Sequence, residues 1–220
     1  MNKLRILFTK NGRAIYISHL DLMHTMQRAI SRAGFSLKYS EGYNPHPQIS
    51  IALPLSVGMS SRCEVMDLRL NEDVSLDIFK MRLNDVLPEG IKVDDVYIAE
   101  EKSSGIKWLR VKGNYEYDTR DANSVLPELD SFFRKDSIIV KKKSKRGITD
   151  ADIKPMIREI CFSSAEEVIV EMEAVISASE PTLNPELITA ALRTLAPDIA
   201  PDFAVYERIE IYRQDMTVFR

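Results

Sequence analysis

The sequence predicts an α+β fold of two tandem ferredoxin-like halves, residues 1–100 and 105–220, each ordered β-α-β-β-α-β. Three observations predict it. Apolar residues alternate with period two in some stretches and period 3.6 in others. The stretches recur in the same order on either side of residue 105. The polar run EEKSSGIK, residues 100–107, separates the two series as a short linker. The repeat is one of pattern and not of sequence identity, so a single mixed sheet without duplication is the alternative.

In the first half, residues 4–8 (LRILF) read as a strand and Asn11-Gly12 as a turn, with a short strand over residues 14–17. Ser18 is placed to cap a helix, with Asp21 three residues on approximating a capping box. Leu20, Met23, Met26, Ile30 and Ala33 share one face of that helix, and Gly34 stops it. Residues 35–40 read as a strand, 41–47 as a Gly/Asn/Pro-rich loop, and 49–55 and 63–70 as strands. Leu76, Phe79, Leu83, Val86 and Leu87 mark a second helix, ended by Pro88-Glu89-Gly90, and residues 91–99 form the last strand. The second half gives a strand at 108–117, a helix at 124–134, a strand at 138–142 running into a basic loop, and strand-like stretches at 148–162 and 167–176. Asn184-Pro185 then opens a helix bearing Leu187, Ile188, Ala191, Leu192 and Leu195, before a final strand at 203–212.

With 45% apolar and 29% charged residues, the chain can build a sizeable core, and bulk disorder is excluded. No apolar run approaches the roughly 20 residues that span a bilayer. MNKLRILFTKNGR lacks the pattern of a secretion signal. Cys63 and Cys161 each fall in a strand-like stretch and read as two buried thiols in a reducing compartment. The expectation is a cytoplasmic protein with no membrane partner. The net charge of −3 hides an uneven distribution. Residues 1–60 carry seven Lys/Arg, two acids and all three histidines; residues 61–100 carry five basic and ten acidic groups; residues 134–146 carry seven basic groups and one acid. Local fields of this kind can steer an anionic ligand whatever the total charge.

Three segments carry the candidate site. The first is the polar face of the first helix: Ser18, His19, Asp21, His24, Arg28 and Arg32. Here the arginines can track phosphates, or form ordinary salt bridges on a solvated face. The second is the loop EGYNPHPQ, where Gly42 permits positive φ and two prolines stiffen the backbone around His46. In it Tyr43 can stack on a base, Asn44 can bond a base edge and His46 can contact a phosphate; the alternative is a rigid turn. The third is the basic run Lys141, Lys142, Lys143, Lys145 and Arg146, either a phosphate-binding arm or a solvated loop. Parallel first and second strands would bring the helix start and residues 42–47 to one rim, with residues 141–146 at the equivalent place in the second half. The Asn11-Gly12 hairpin signal argues the other way, toward a helix starting at the opposite edge. His19 and His46 would suit a general acid–base pair, or with Asp21 a metal. Such wide spacing is weak for either, and no phosphate loop, Gly-x-Gly motif, paired Cys-x-x-Cys or nucleophile elbow is present, so no cofactor is expected.

The segments SHLDLMHTMQRAISRAGF and YSEGYNPHPQISIALPLSVGMSS, with KRGITDADIKPMI further on, resemble a bacterial family of radical-SAM-linked proteins, a domain of unknown function. Its members stand alone or are attached to the C-terminus of B12-binding radical SAM proteins. On this resemblance Ser18, His19, Asp21, Arg28, Asn44, Pro45, His46 and Pro47 occupy motif positions, with no biochemical role attached. The family pattern has no cluster-binding cysteine triad, which implies no iron–sulfur cluster and no radical chemistry by this chain alone. More loosely, the tandem halves are similar to repeat-associated RNA-processing proteins, but residues 195–220 lack the glycine-rich loop of that group. Three functions are therefore expected candidates. The first is an accessory protein that binds RNA, presenting tRNA or rRNA to a radical SAM enzyme. The second is a module that docks a radical SAM protein. The third is a metal-independent endoribonuclease using His19 or His46.

Overall fold

A computed structural model describes residues 3–144 and 147–220. The chain divides into two compact units, one made of the residues up to Gly105 together with Arg220 and the other spanning Ile106–Phe219. Both are α+β.

In the first unit, strand β1 (Leu4–Lys10) pairs antiparallel with β3 (Ser60–Leu68) on one side and β4 (Ile91–Ile98) on the other. The short β2 (Ile49–Ile51) pairs antiparallel with β3, so the order is β4-β1-β3-β2. Helices α1 (His19–Arg32) and α2 (Leu76–Val86) bury one stripe each. Leu22, Met26, Ala29 and Ile30 of α1, with Phe79 and Leu83 of α2, form one core with Leu4, Ile6, Phe8, Met66 and Leu68. Burial of each large side chain there contributes about 1.5–3 kcal/mol. The odd residues of β1 lie on the opposite face of the sheet, because side chains alternate along a strand.

Three local expectations are corrected by the backbone. Residues 14–17 are not a strand but part of a 3-10 turn, Gly12–Tyr16, whose start is fixed when Asn11 N donates to Gly90 O (2.8 Å). Gly90 has φ +89°, and a Cβ on it would stand 2.4 Å from Asn11 O, so the glycine is what allows this approach. Residues 35–40 make only isolated bridges, Leu37 to Leu70 and Tyr39 to Pro47, because Pro45 and Pro47 lack the N–H groups a ladder needs. Strand β2 stops at Ile51, short of Pro54.

The register also decides the rim question. Leu4 and Ile49 both sit opposite Leu68, while Lys10 sits opposite Ser61. β1 and β2 therefore start at the same end of the sheet. The start of α1 comes after the far end of β1, and residues 40–48 precede the near end of β2. The expected convergence of Ser18 and His19 with residues 42–47 does not occur.

In the second unit, β5 (Trp108–Glu116) is central, between β9 (Ile169–Ser177) and β10 (Phe203–Tyr212). β8 (Ile157–Glu166) pairs outside β9, so the order is β10-β5-β9-β8, all antiparallel. Helices α3 (Ala122–Phe133) and α4 (Glu186–Leu195) supply Val125, Leu129, Ile188 and Leu192 to the core. Asp121 caps α3 by accepting from Asn123 N and Ser124 N, so the helix starts two residues earlier than expected. Phe133 stacks on Phe162 at 5.4 Å, and Tyr115 meets Tyr206 edge-on at 6.2 Å. The expected strand at 138–142 is outside this sheet. Its residues belong to β6 (Ile139–Ser144), which pairs with β7 (Gly147–Asp152) as a separate ribbon. A 3-10 turn at Lys154–Met156, with Pro155 inside it, splits the expected strand 148–162. Cys63 is buried as expected, but Cys161 is exposed on β8, the edge strand. No helix among the described residues is long and apolar enough to cross a membrane.

Candidate functional site

Helix α1 separates the predicted site residues along its length. At its start, Ser18 Oγ accepts from Asp21 N (3.2 Å) and donates to the Asp21 carboxylate (2.7 Å), so both residues act in the cap. His19 is half-buried, and its Nδ1 is shielded without a hydrogen-bond partner. His24, Arg28 and Arg32 are exposed further along. The 14 residues of the helix span about 21 Å, which carries Arg28 and Arg32 back to the end where β1 and β2 start.

At that end the last turns of α1 and residues 34–39 enclose an open cleft of about 810 Å³. Arg28 and Arg32 line it with Phe35, Leu37 and Tyr39. Arg32 Nη2 donates to Val86 O (2.9 Å), which ties the cleft wall to the end of α2. Arg82 lies with its guanidinium carbon 6.0 Å from the Phe35 ring centroid. The cleft therefore combines cationic and aromatic groups, though Arg82 escaped the sequence reading because it sits on a different helix.

The 40–48 loop adjoins this cleft through a small ladder. Lys38 N donates to Arg69 O (2.8 Å), Gln48 N to Lys38 O (2.7 Å) and Arg69 N to Gln48 O (3.1 Å). Ser40 N donates to His46 O (2.9 Å), and His46 N donates to Ser40 Oγ (3.1 Å). His46 Nδ1 lies 3.0 Å from Ser40 Oγ and 3.3 Å from Asn44 O. A carbonyl only accepts, so a proton on Nδ1 suits both contacts and leaves Nε2 as the acceptor in the neutral ring. Gly42 holds φ +124°, a region other residues rarely adopt. Tyr43 is fully presented to solvent at the loop tip, and Asn44 is exposed beside it.

Beside the loop, on the sheet face away from the helices, lies a group that sequence reading missed. Arg5 and Asp67 are cross-strand partners and are buried. Arg5 Nε is 2.7 Å from Asp67 Oδ1, Arg5 Nη2 is 3.2 Å from Oδ2, and Lys3 Nζ is 2.6 Å from Oδ2. Arg5 Nη2 also donates to Glu101 O (2.7 Å). Tyr97, opposite Arg5 on β4, has a phenol raised above its ordinary range by burial, partly offset by the Arg5 charge. The alternation of Lys3 and Arg5 with Leu4 and Ile6, and of Asp67 and Arg69 with Leu68, was the available signal.

Of the basic run of the second unit, Lys141, Lys142 and Lys143 lie on β6 of the β6–β7 ribbon, where Lys141 is exposed. Lys142 and Lys143 are described in backbone only, and Lys145 and Arg146 lie outside the described residues. Both this run and residues 42–47 fall between the first helix of their unit and the next strand of its sheet, but β6 pairs with β7 outside that sheet. His19 and His46 stand at opposite ends of the first unit, so they do not form one acid–base pair, nor a shared metal site with Asp21. Among the described residues no group of three His, Cys, Asp or Glu side chains is arranged to hold a metal.

Residues 3–185 match the family described as "Uncharacterized protein conserved in bacteria (DUF2344)". The chain belongs to this family. The match runs from β1 to the threshold of α4 and so takes in most of both units. Among solved structures, a chain of a Cbf5-Nop10-Gar1 complex is similar with a TM-score of 0.56 at 10% identity, over 96% of this chain and 50% of that one. That likeness concerns the fold alone, and this DUF2344 member spans about half the length of that chain. An unknown protein from Galdieria sulphuraria aligns over 94% of this chain and 98% of its own, with a TM-score of 0.27 at 11% identity. None of the curated proteins matches this chain.

Proposed function

We propose that the first unit binds RNA at the end built from the last turns of α1 and residues 34–48, as an accessory protein rather than a catalyst. The observation that carries this reading is the open cleft lined by Arg28, Arg32 and Tyr39, adjoining a stiffened loop with Tyr43, Asn44 and His46 exposed. Arginines supply salt-sensitive phosphate contacts, and exposed tyrosines supply stacking faces for unpaired bases. The same reading treats each unit as a ferredoxin-like half, in keeping with the two strand orders, and places the protein in the bacterial cytoplasm. Filter binding of bulk tRNA or rRNA at two salt concentrations tests it. Binding should weaken steeply with salt, and R28E/R32E should cost about tenfold or more per arginine. RNA binding indifferent to both salt and R28E/R32E would overturn it.

A second reading, docking of a radical SAM protein, is favoured by a different observation. At the opposite end of the unit, Tyr16, Leu20 and Val57 are exposed apolar side chains on elements joined by the Gly58 N to Ile15 O bond (2.8 Å). Grouped exposed apolar residues suit a protein partner better than a polyanion. Co-purification with a radical SAM protein that survives R28E/R32E and fails with Leu20→Glu would favour docking. The two readings use opposite ends and are compatible with an accessory that presents RNA to an enzyme.

A further inference from the structure

We propose that a second cavity in the first unit, beside the RNA cleft but separate from it, is a binding site for a phosphate monoester group. The cavity, of about 280 Å³, lies between the start of β1, the β2 lead-in and the end of β3, and Lys3, His46, Gln48, Ser50, Asp67 and Arg69 line it. This is below the usual range for a whole drug-sized ligand and suits one compact polar group.

The charges decide the ligand class. Lys3 and Arg69 line the cavity against a single carboxylate, Asp67, which the buried Arg5 also contacts, so the lining carries an excess of positive charge. A cation is repelled by that balance, and an apolar group would strip water from charges without replacing it. A phosphate monoester, close to a dianion at neutral pH, is attracted by that excess more strongly than a singly charged phosphodiester. A buried ion pair gives little stability over an apolar pair of similar volume, so stability alone does not account for Arg5 and Asp67. Their geometry gives Asp67 a second task. Its Oδ2 holds the Lys3 ammonium, which is one-third exposed and has three donors, at the cavity wall. Gln48 adds an amide donor and Ser50 a hydroxyl, and His46 reaches this cavity from the same loop whose other end borders the cleft.

The phosphate can come from a nucleotide metabolite or from the terminus of an RNA. Calorimetric titration of the full chain with AMP, adenosine and inorganic phosphate, alongside 5′-phosphorylated and 5′-hydroxyl RNA of one sequence, tests the site and separates the sources. AMP should bind and adenosine should not. Arg69→Gln and Lys3→Gln should each weaken AMP by about tenfold or more, while R28E/R32E leaves AMP binding intact. A gain from the 5′ phosphate that Arg69→Gln removes assigns the RNA terminus; AMP binding without that gain assigns a metabolite. Adenosine binding as tightly as AMP, or AMP affinity unmoved by Arg69→Gln in a folded variant, would overturn the proposal. Loss of RNA binding while AMP still binds would count against the RNA reading alone.

Discussion

The two units share a strand order and differ in the segment between the first helix and the next strand of the sheet. In the first unit, α1 leads into an irregular, Gly- and Pro-bearing segment and then a three-residue strand, β2. In the second, α3 leads through the β6–β7 ribbon into a ten-residue strand, β8. The central strands differ in parallel. Each unit pairs an arginine on its first strand with an acid on its third: Arg5 with Asp67 directly opposite, and Arg110 with Glu173 diagonally across the strands at 3.1 Å. The first pair is 0% and 2% exposed and the second 39% and 37%. An ion pair between the first and third strands is thus desolvated in one unit and wet in the other. The contrast teaches that an ion pair across the same two strands is structural dressing when solvated and a fixed, directional feature when buried.

Breaking the two pairs sharpens that contrast most. Asp67→Ala should destabilise the chain by about 3–5 kcal/mol, because it removes the carboxylate that a buried guanidinium is bonded to through two nitrogens. Glu173→Ala should cost under about 1 kcal/mol. Denaturant midpoints compare them, and equal losses would erase the distinction. Gly90→Ala comes next. Its positive φ and the close Asn11 carbonyl should cost about 1–3 kcal/mol, read as a lower melting temperature. Ser18→Ala should cost about 1 kcal/mol through the α1 cap and leave RNA affinity unchanged.

Alkaline pH should act chiefly on the second unit. Burial raises the phenols of Tyr115, Tyr117 and Tyr206, with Tyr117 pushed up to about 12. Their folded values exceed the unfolded value near 10, so the neutral phenols contribute fully below pH 10. That contribution is lost as pH rises from about 10 through about 12. Tyrosinate absorbance should therefore develop together with unfolding, and Tyr206→Phe should shift the transition upward in pH. Absorbance that rises while the fold stays intact would contradict this.

Regular elements were legible in the sequence because their signals are local. Ser18 and Asp21 announced the cap of α1, and the apolar period gave α2 and both final strands nearly to the residue. Elements that depend on pairing were not. Residues 35–40 have strand-like composition but face prolines, and residues 138–142 pair with 147–152 instead of joining the sheet. The candidate site shows the same division. Arg28, Arg32 and Tyr43 were visible as types in a pattern, while the separation of His19 from His46 depended on register. The Lys3, Asp67 and Arg69 group was overlooked because charges on the second face of a strand look like ordinary solvated positions until burial is known.

Hydrogen exchange with and without RNA tests the central claim most directly, since both units are read in one experiment. Protection on adding RNA should fall on the last turns of α1 and on residues 34–48, and R28E/R32E should remove it. Protection confined to β6–β7, to β8 or to the start of α1 would contradict the account.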